Sequence, residues 1–262
     1  MNIIIDGKEV TAESGQTILQ VARANGVHIP TLCHSEALEP AAMCRLCTVE
    51  VDEGRGPRLV TACNYPLRRY AEVWTNSEKV RAGRKLIIEL LYTRCPSSEL
   101  LKELAEEYGV DLNRFSPNDK GCIVCGLCAR VCEQVGGKTL TLSGRGVEIC
   151  VATAFNRESE YCIVCGACAR ICPVKAIRIL EEDGYRSILV QGRVASRVKL
   201  NECLNCGKRF GPVIDLKEIT ERAGEVKVPP LNQSVCPDCS RRSLAARMAE
   251  RHFEQYETGE EG

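Results

Sequence analysis

Aromatic residues are scarce in this chain, 5% of its 262 residues with a single tryptophan. A conventional apolar core is therefore not expected to do all the holding, and a chain of this length suggests two or three domains. An excess of one charge is missing too: 35 basic side chains stand against 35 acidic ones, which excludes the overall basic surplus that drives nonspecific nucleic-acid binding. Long hydrophobic runs are also absent. The longest, around Leu86 to Tyr92, is interrupted by Glu89 and is far too short to span a bilayer. The opening Met1-Asn2-Ile3-Ile4-Ile5-Asp6 lacks the basic region, apolar stretch and cleavage site of a secretory signal. A soluble, cytoplasmic protein without membrane insertion is the expectation. There is no G-x-G-x-x-G between a strand and a helix and no P-loop, and no nucleophile, base and orienting partner can be assembled. The polypeptide is therefore expected to perform no bond chemistry on a substrate.

What the chain has instead is eighteen cysteines. In a reducing compartment such patterns point to metal sites rather than disulfides. Residues 1–76 carry a short hairpin pattern, a helix from Thr17 closed by Asn25-Gly26, and strand signals at Leu46 to Val51, Arg58 to Ala62 and Glu72 to Thr75, which together predict a small α+β domain. Residues 77–116 form a helical connector: Ser77 caps one helix, Cys95-Pro96 ends it, and Ser97 or Ser98 starts a second that stops at Gly109. Residues 117–197 contain a repeated cysteine motif followed by a hairpin around Glu181-Glu182-Asp183-Gly184. Residues 198–262 hold a last group of four cysteines, a helix over 241–256 and a polar end.

The repeat is CIVCGLCARVC at 122–132 and CIVCGACARIC at 162–172, differing at two of eleven positions. Each copy is C-x2-C-x2-C-x3-C. Three thiolates this close can wrap three corners of one cubane, and in the bacterial ferredoxin arrangement the fourth ligates the other cluster. One [4Fe-4S] cluster then takes Cys122, Cys125, Cys128 and Cys172, and the other takes Cys162, Cys165, Cys168 and Cys132. Zinc is the competing reading, but it usually recruits two separated C-x2-C knuckles for one site. Gly126 and Gly166 let backbone approach each cluster. Arg130 and Arg170 either offset cluster charge or line a solvated face.

Cys33, Cys44, Cys47 and Cys63 give C-x10-C-x2-C-x15-C. The first gap is wider than in the plant-type ferredoxin pattern, and four thiolates around a two-iron rhomb, a [2Fe-2S] cluster, are the natural reading. His34 is read as a non-ligand, and Cys95 and Cys150 as free, buried apolar residues. Cys203, Cys206, Cys236 and Cys239 form two knuckles 29 residues apart, which fit one tetrahedral site of the zinc-ribbon kind. Zinc is preferred there, with rubredoxin-type iron or a third [4Fe-4S] cluster as alternatives. Lys208, Arg209, Arg241 and Arg242 surround it without an aromatic stacking series, so a docking or stabilising module is preferred to a nucleic-acid reader.

The segments HIPTLCHSEAL, MCRLCTVEV, TACNYPL and VRAGRKLIIELL resemble the N-terminal part of the large iron-sulfur subunit of respiratory complex I. They resemble still more the small diaphorase iron-sulfur subunit of NAD-linked hydrogenases and formate dehydrogenases. The resemblance covers about residues 1–182 and fits Glu133 after the first motif. It implies an α+β architecture of N-terminal β-grasp [2Fe-2S] domain, helical connector and dicluster ferredoxin-like domain, followed here by the zinc-ribbon-like module. It also implies electron transfer between a flavin and NAD(H)-binding subunit and a catalytic metal-enzyme subunit of an oxygen-sensitive complex, a setting in which electron bifurcation also occurs. The chain departs from the family after the IIELL helix, where a histidine and three cysteines for a further cluster are replaced by Cys95 and a leucine-rich helix. The competing functions are a redox-responsive regulatory or assembly protein and a self-contained ferredoxin.

Overall fold

The computed structural model describes residues 1–213 and 234–257. The polar TGEEG end therefore lies outside the described residues, as does the chain linking the two halves of the last cysteine group.

The N-terminal unit is a five-stranded sheet in the order β2-β1-β5-β3-β4. Its strands are β1 (Asn2–Ile5), β2 (Lys8–Thr11), β3 (Thr48–Asp52), β4 (Arg58–Thr61) and β5 (Glu72–Trp74). β1 runs antiparallel to β2 and parallel to β5, while β3 is antiparallel to both its neighbours. Alternation turns Ile3 and Ile5 inward, where they meet Leu19, Val49, Val51 and Val73. Helix α1 (Ile18–Ala24) closes this core. Its Thr17 and Gln20 form a reciprocal capping box, and Gly26, at φ +71°, follows the Asn25 cap.

In β3, by contrast, Thr48 and Glu50 are buried as well as the valines, because α2 (Glu78–Arg94) covers the other face. Arg84 donates to the Thr48 carbonyl at 2.8 Å, and Glu50 accepts from Ser77 Oγ at 2.6 Å and Lys79 Nζ at 3.0 Å. Ser77 Oγ also accepts from Val80 N–H, capping the helix. After Cys95-Pro96 the chain turns into α3 (Glu99–Tyr108), ended by Gly109 in the left-handed conformation. Ile88 of α2 and Leu101 of α3 are fully buried in a second core, which also contains Cys33, Cys44, Ile123, Cys125 and Leu127. That core joins the helices to two cysteine-bearing loops. Trimming Ile88 to Ala there is expected to cost about 2 to 5 kcal/mol.

The third unit pairs α4 (Leu127–Gln134) with α5 (Ala167–Ile171), each starting just after the glycine of its motif. Between them lies a short hairpin, β6 (Thr141–Ser143) with β7 (Cys150–Ala152). An antiparallel sheet follows, β8 (Ile177–Glu182), β9 (Tyr185–Val190), β10 (Arg193–Glu202) and β11 (Arg209–Pro212). β10 runs unbroken across position 197, so the C-terminal module shares a strand with the unit before it. The last helix, α6, spans Pro237–Glu257. Among the described residues no helix is long and apolar enough to cross a membrane.

Candidate metal centres

The N-terminal loop buries all four of its thiols, with Cys33, Cys44, Cys47 and Cys63 each 5% exposed or less. They approach in pairs. A hydrogen bond from the Cys44 thiol holds Cys33 down at about 6 and pushes Cys44 up; the Cys47 and Cys63 thiols make a corresponding contact that raises Cys47 and lowers Cys63. Cys44 N–H also donates to Cys33 Sγ at 3.3 Å. His34, adjacent to this set, has its Nδ1 buried without a partner. Burial, with Arg23 nearby, holds its imidazole below the ordinary range.

The two repeated motifs share an unusual backbone. Val124 (φ +54°) and Val164 (φ +46°) stand in the left-handed region, and Gly126 and Gly166 follow at φ +71° and +77°. A β-branched residue there is strained by roughly 1 to 3 kcal/mol. The turn aims Val124 N–H at Cys122 Sγ, 3.3 Å away, and Val164 N–H makes the corresponding bond to Cys162. The fourth cysteines are served in the same way, Cys132 by Thr139 N–H and Cys172 by Ala176 N–H, each at 3.3 Å. Donors of this kind favour the anionic sulfur.

Cys122, Cys125, Cys128 and Cys172 line one apolar cavity, with Ile123, Val151 and Ile177 among its walls. Cys172 comes from the other copy of the repeat. Cys132 in turn lies in the electrostatic neighbourhood of Cys162 and Cys168, beside Cys165. Burial pushes Cys125 up to about 11 and both Cys128 and Cys168 up to about 12. Thiols so reluctant to ionise alone, yet supplied with N–H donors, suit a site in which metal charge offsets desolvation. The residues present fit an iron-sulfur core.

Several supporting side chains carry no signal in a cysteine pattern. Arg94, in the last turn of α2, donates to the carbonyls of Cys122, Val147 and Ile149 at 3.3, 3.0 and 2.7 Å, fastening the hairpin region to the first motif. Ser196 of β10 donates to the carbonyls of Ser159 and Cys162 at 3.0 and 3.4 Å. Met43 packs on Gly126, where an added Cβ would lie 2.6 Å from its Sδ. Cys95 is buried and its thiol pushed up by desolvation, whereas Cys150 is only half-buried on β7.

The last group has a different geometry. The Sγ atoms of Cys203, Cys206, Cys236 and Cys239 all lie within 4.8 Å of one another, and Cys206 and Cys236 are 3.8 Å apart. Four thiolates about 2.3 Å from a single tetrahedral ion would be separated by about 3.8 Å. Among the described residues no other His, Cys, Asp or Glu set draws its ligand atoms this close. Cys236 N–H donates to Cys203 Sγ at 3.2 Å and holds that thiol down at about 6. Arg242 approaches Cys239 Sγ at 3.9 Å, while Lys208 and Arg241 both pair with Asp238.

Comparison with known proteins finds two iron-sulfur domain families in this chain. Residues 1–78 match the 2Fe-2S iron-sulfur cluster binding domain and residues 161–208 the 4Fe-4S dicluster domain. The second match takes in the second motif with Cys203 and Cys206; the first motif precedes it. The chain is 30% identical over 188 residues to the NADH-ubiquinone oxidoreductase 75 kDa subunit of Reclinomonas americana, covering 60% of this chain and 27% of that protein. It is 30% identical over 179 residues to the NADPH-Fe(3+) oxidoreductase subunit alpha of Geobacter sulfurreducens, covering 58% and 21%. The chain thus spans about a quarter of the length of the curated relatives it matches. Among solved structures, a chain of the NAD+-reducing [NiFe]-hydrogenase in the H2-reduced state superposes with a TM-score of 0.59 at 28% identity, covering 66% of this chain and 85% of that one.

Proposed function

We propose that this chain, an iron-sulfur protein homologous to those oxidoreductase subunits, is the electron-transfer subunit of a multisubunit NAD-linked oxidoreductase. It holds a [2Fe-2S] centre on Cys33, Cys44, Cys47 and Cys63, and two [4Fe-4S] centres on Cys122, Cys125, Cys128 and Cys172 and on Cys132, Cys162, Cys165 and Cys168. When bound, such groups each accept and release one electron at a time. The protein's own part is to supply thiolates, aim N–H donors at them and keep water out with apolar walls. Cys203, Cys206, Cys236 and Cys239 hold one mononuclear ion, zinc in preference to iron; the tight sulfur spacing argues against a third cubane.

The observation that carries this reading is the shared core in which Cys33, Cys44 and Cys125 pack together with Ile123, Leu127 and Leu46. Ligand loops of the N-terminal unit and the first motif touch directly, as two stations of an electron path require. The partners we infer are an NAD(H)- and flavin-binding subunit at one end of the path and a catalytic metal-enzyme subunit at the other; the relatives' names support the nicotinamide-linked chemistry and, in the hydrogenase, the metal enzyme. A redox-responsive regulator is not favoured by that kinship.

The test is anaerobic purification from the native host, with subunit identification, iron and zinc quantification and electron paramagnetic resonance. Co-purifying flavin and metal-enzyme subunits, about ten irons per chain and one zinc, are expected. A lone protein with two zinc ions and no paramagnetic signal on reduction would sink the proposal.

A further inference from the structure

Arg130 belongs to the first motif, on α4 between Cys128 and Cys132, yet its guanidinium is bonded to the N-terminal unit. Nη1 donates to the Glu39 carbonyl at 2.8 Å and Nη2 to the Cys33 carbonyl at 2.6 Å, across 91 and 97 residues of sequence. Its Nε is buried with no hydrogen-bond partner, and among the described residues no carboxylate lies within ion-pairing distance of it. A partly buried cation without a counter-anion is costly. The carbonyl it grips belongs to Cys33, the first of the four thiols of the N-terminal unit, which supply negative charge when ionised. Met43, beside Cys44, sits against Gly126 and closes the other side of the same junction. Arg170 occupies the same place in the second copy, but it is exposed and has no hydrogen-bond or ion-pair partner among the described residues.

We propose that Arg130 is a positioning residue that locks the Cys33–Cys47 loop against the first cysteine motif, and that its unpaired charge raises the reduction potential of the centre this loop holds. The inference rests on reading Cys33, Cys44, Cys47 and Cys63 as [2Fe-2S] ligands. Reduction adds one electron, taken in a titration from dithionite through mediators, and so makes that centre more negative by one charge. A fixed guanidinium bonded to a ligand's own carbonyl favours the reduced form. Lysine in its place keeps the charge but cannot span both carbonyls with a planar fork.

The experiment compares Arg130→Gln, Arg130→Lys and Arg170→Gln in the full chain. It measures iron content, the potentiometric titration of the [2Fe-2S] signal, and the magnetic broadening between that signal and its [4Fe-4S] neighbour. Arg130→Gln is expected to lower the reduced-to-oxidised ratio at fixed poise about tenfold, which is about 59 mV for a one-electron couple, and to weaken the broadening. Arg130→Lys should recover most of the potential but not the broadening, and Arg170→Gln should move neither. An unmoved midpoint in Arg130→Gln, or an equal shift in Arg170→Gln, overturns the inference. If Arg130→Gln fails to keep its [2Fe-2S] iron, Arg130→Lys decides, because broadening equal to wild type would overturn the positioning role. A wild-type protein with no [2Fe-2S] signal would instead overturn the functional reading beneath it.

Discussion

The two copies of the cysteine motif are nearly identical in sequence and occupy unlike surroundings. In the first, Cys122, Cys125 and Cys128 are all buried, and Ile123 is 4% exposed because the N-terminal loop, α2 and α3 close over it. In the second, Cys165 is exposed and Ile163, the counterpart of Ile123, is 45% exposed. Gly126 is met by Met43 from another unit, Gly166 by Ile179 from its own. One copy is thus an internal junction and the other faces outward. The difference lies in what packs against each copy, because the backbone turn is the same in both.

Removing one ligand from each copy should separate them most strongly. Cys125→Ala and Cys165→Ala are each expected to lose about four irons per chain, but the first also opens the shared core and lowers the thermal midpoint by about 5 to 10 °C. The second should cost less than half of that. Equal losses of stability by calorimetry would erase the distinction between junction and outer face.

Next in size, Cys239→Ser should release the ion proposed at the C-terminal four-cysteine group, seen by elemental analysis, while the iron content and both cubane signals persist. Iron loss in step with zinc would mean that the outer copy depends on the C-terminal four-cysteine group for its cluster.

Gly126→Ala and Gly166→Ala should each cost about 1 to 2 kcal/mol in chemical denaturation, since both force alanine to φ above +70°. Only Gly126→Ala pushes against Met43, so faster hydrogen exchange at Ala42 to Cys47 is expected in that variant alone.

The smallest effect concerns Glu50, which helps seat α2 behind the first copy. The Ser77 hydroxyl and then Lys79 hold its carboxyl below the usual range. A depressed folded value means that this contribution is present above about pH 4.3 and disappears as pH falls through the folded value. Glu50→Gln should therefore be less stable than wild type near neutrality and indistinguishable from it in strong acid. A constant gap at all pH values would remove the ionised carboxylate from the account.

Much of this was legible in residue patterns. The helix start at Thr17, the cap at Ser77, the stops at Asn25-Gly26 and Gly109, and the hairpin around Asp183-Gly184 depend on local chemistry, and they lie where the sequence places them. The ferredoxin arrangement expects Cys172 beside Cys122, Cys125 and Cys128, and these four line one cavity. Less visible were β10 and the short β6–β7 hairpin, whose pairing depends on neighbours rather than on strict alternation. Arg130 and Arg170 were indistinguishable in sequence because their motifs are the same; the contact that separates them comes from Glu39 and Cys33, more than ninety residues away. Arg94 was hidden for the same reason, its three carbonyl partners lying 28 to 55 residues downstream.

The unbroken course of β10 has a practical consequence. Its residues Arg193 to Lys199 pair with Val190 to Tyr185 of β9, while Leu200 to Glu202 pair with β11. A chain cut at 197 to isolate the two ferredoxin-like units would strip partners from Arg186 and Tyr185 and leave an open sheet edge, the kind of surface that recruits other chains. The natural place to divide this protein is therefore not before the last four cysteines, and a shortened version that keeps β10 and β11 should stay dispersed where one ending at 197 aggregates.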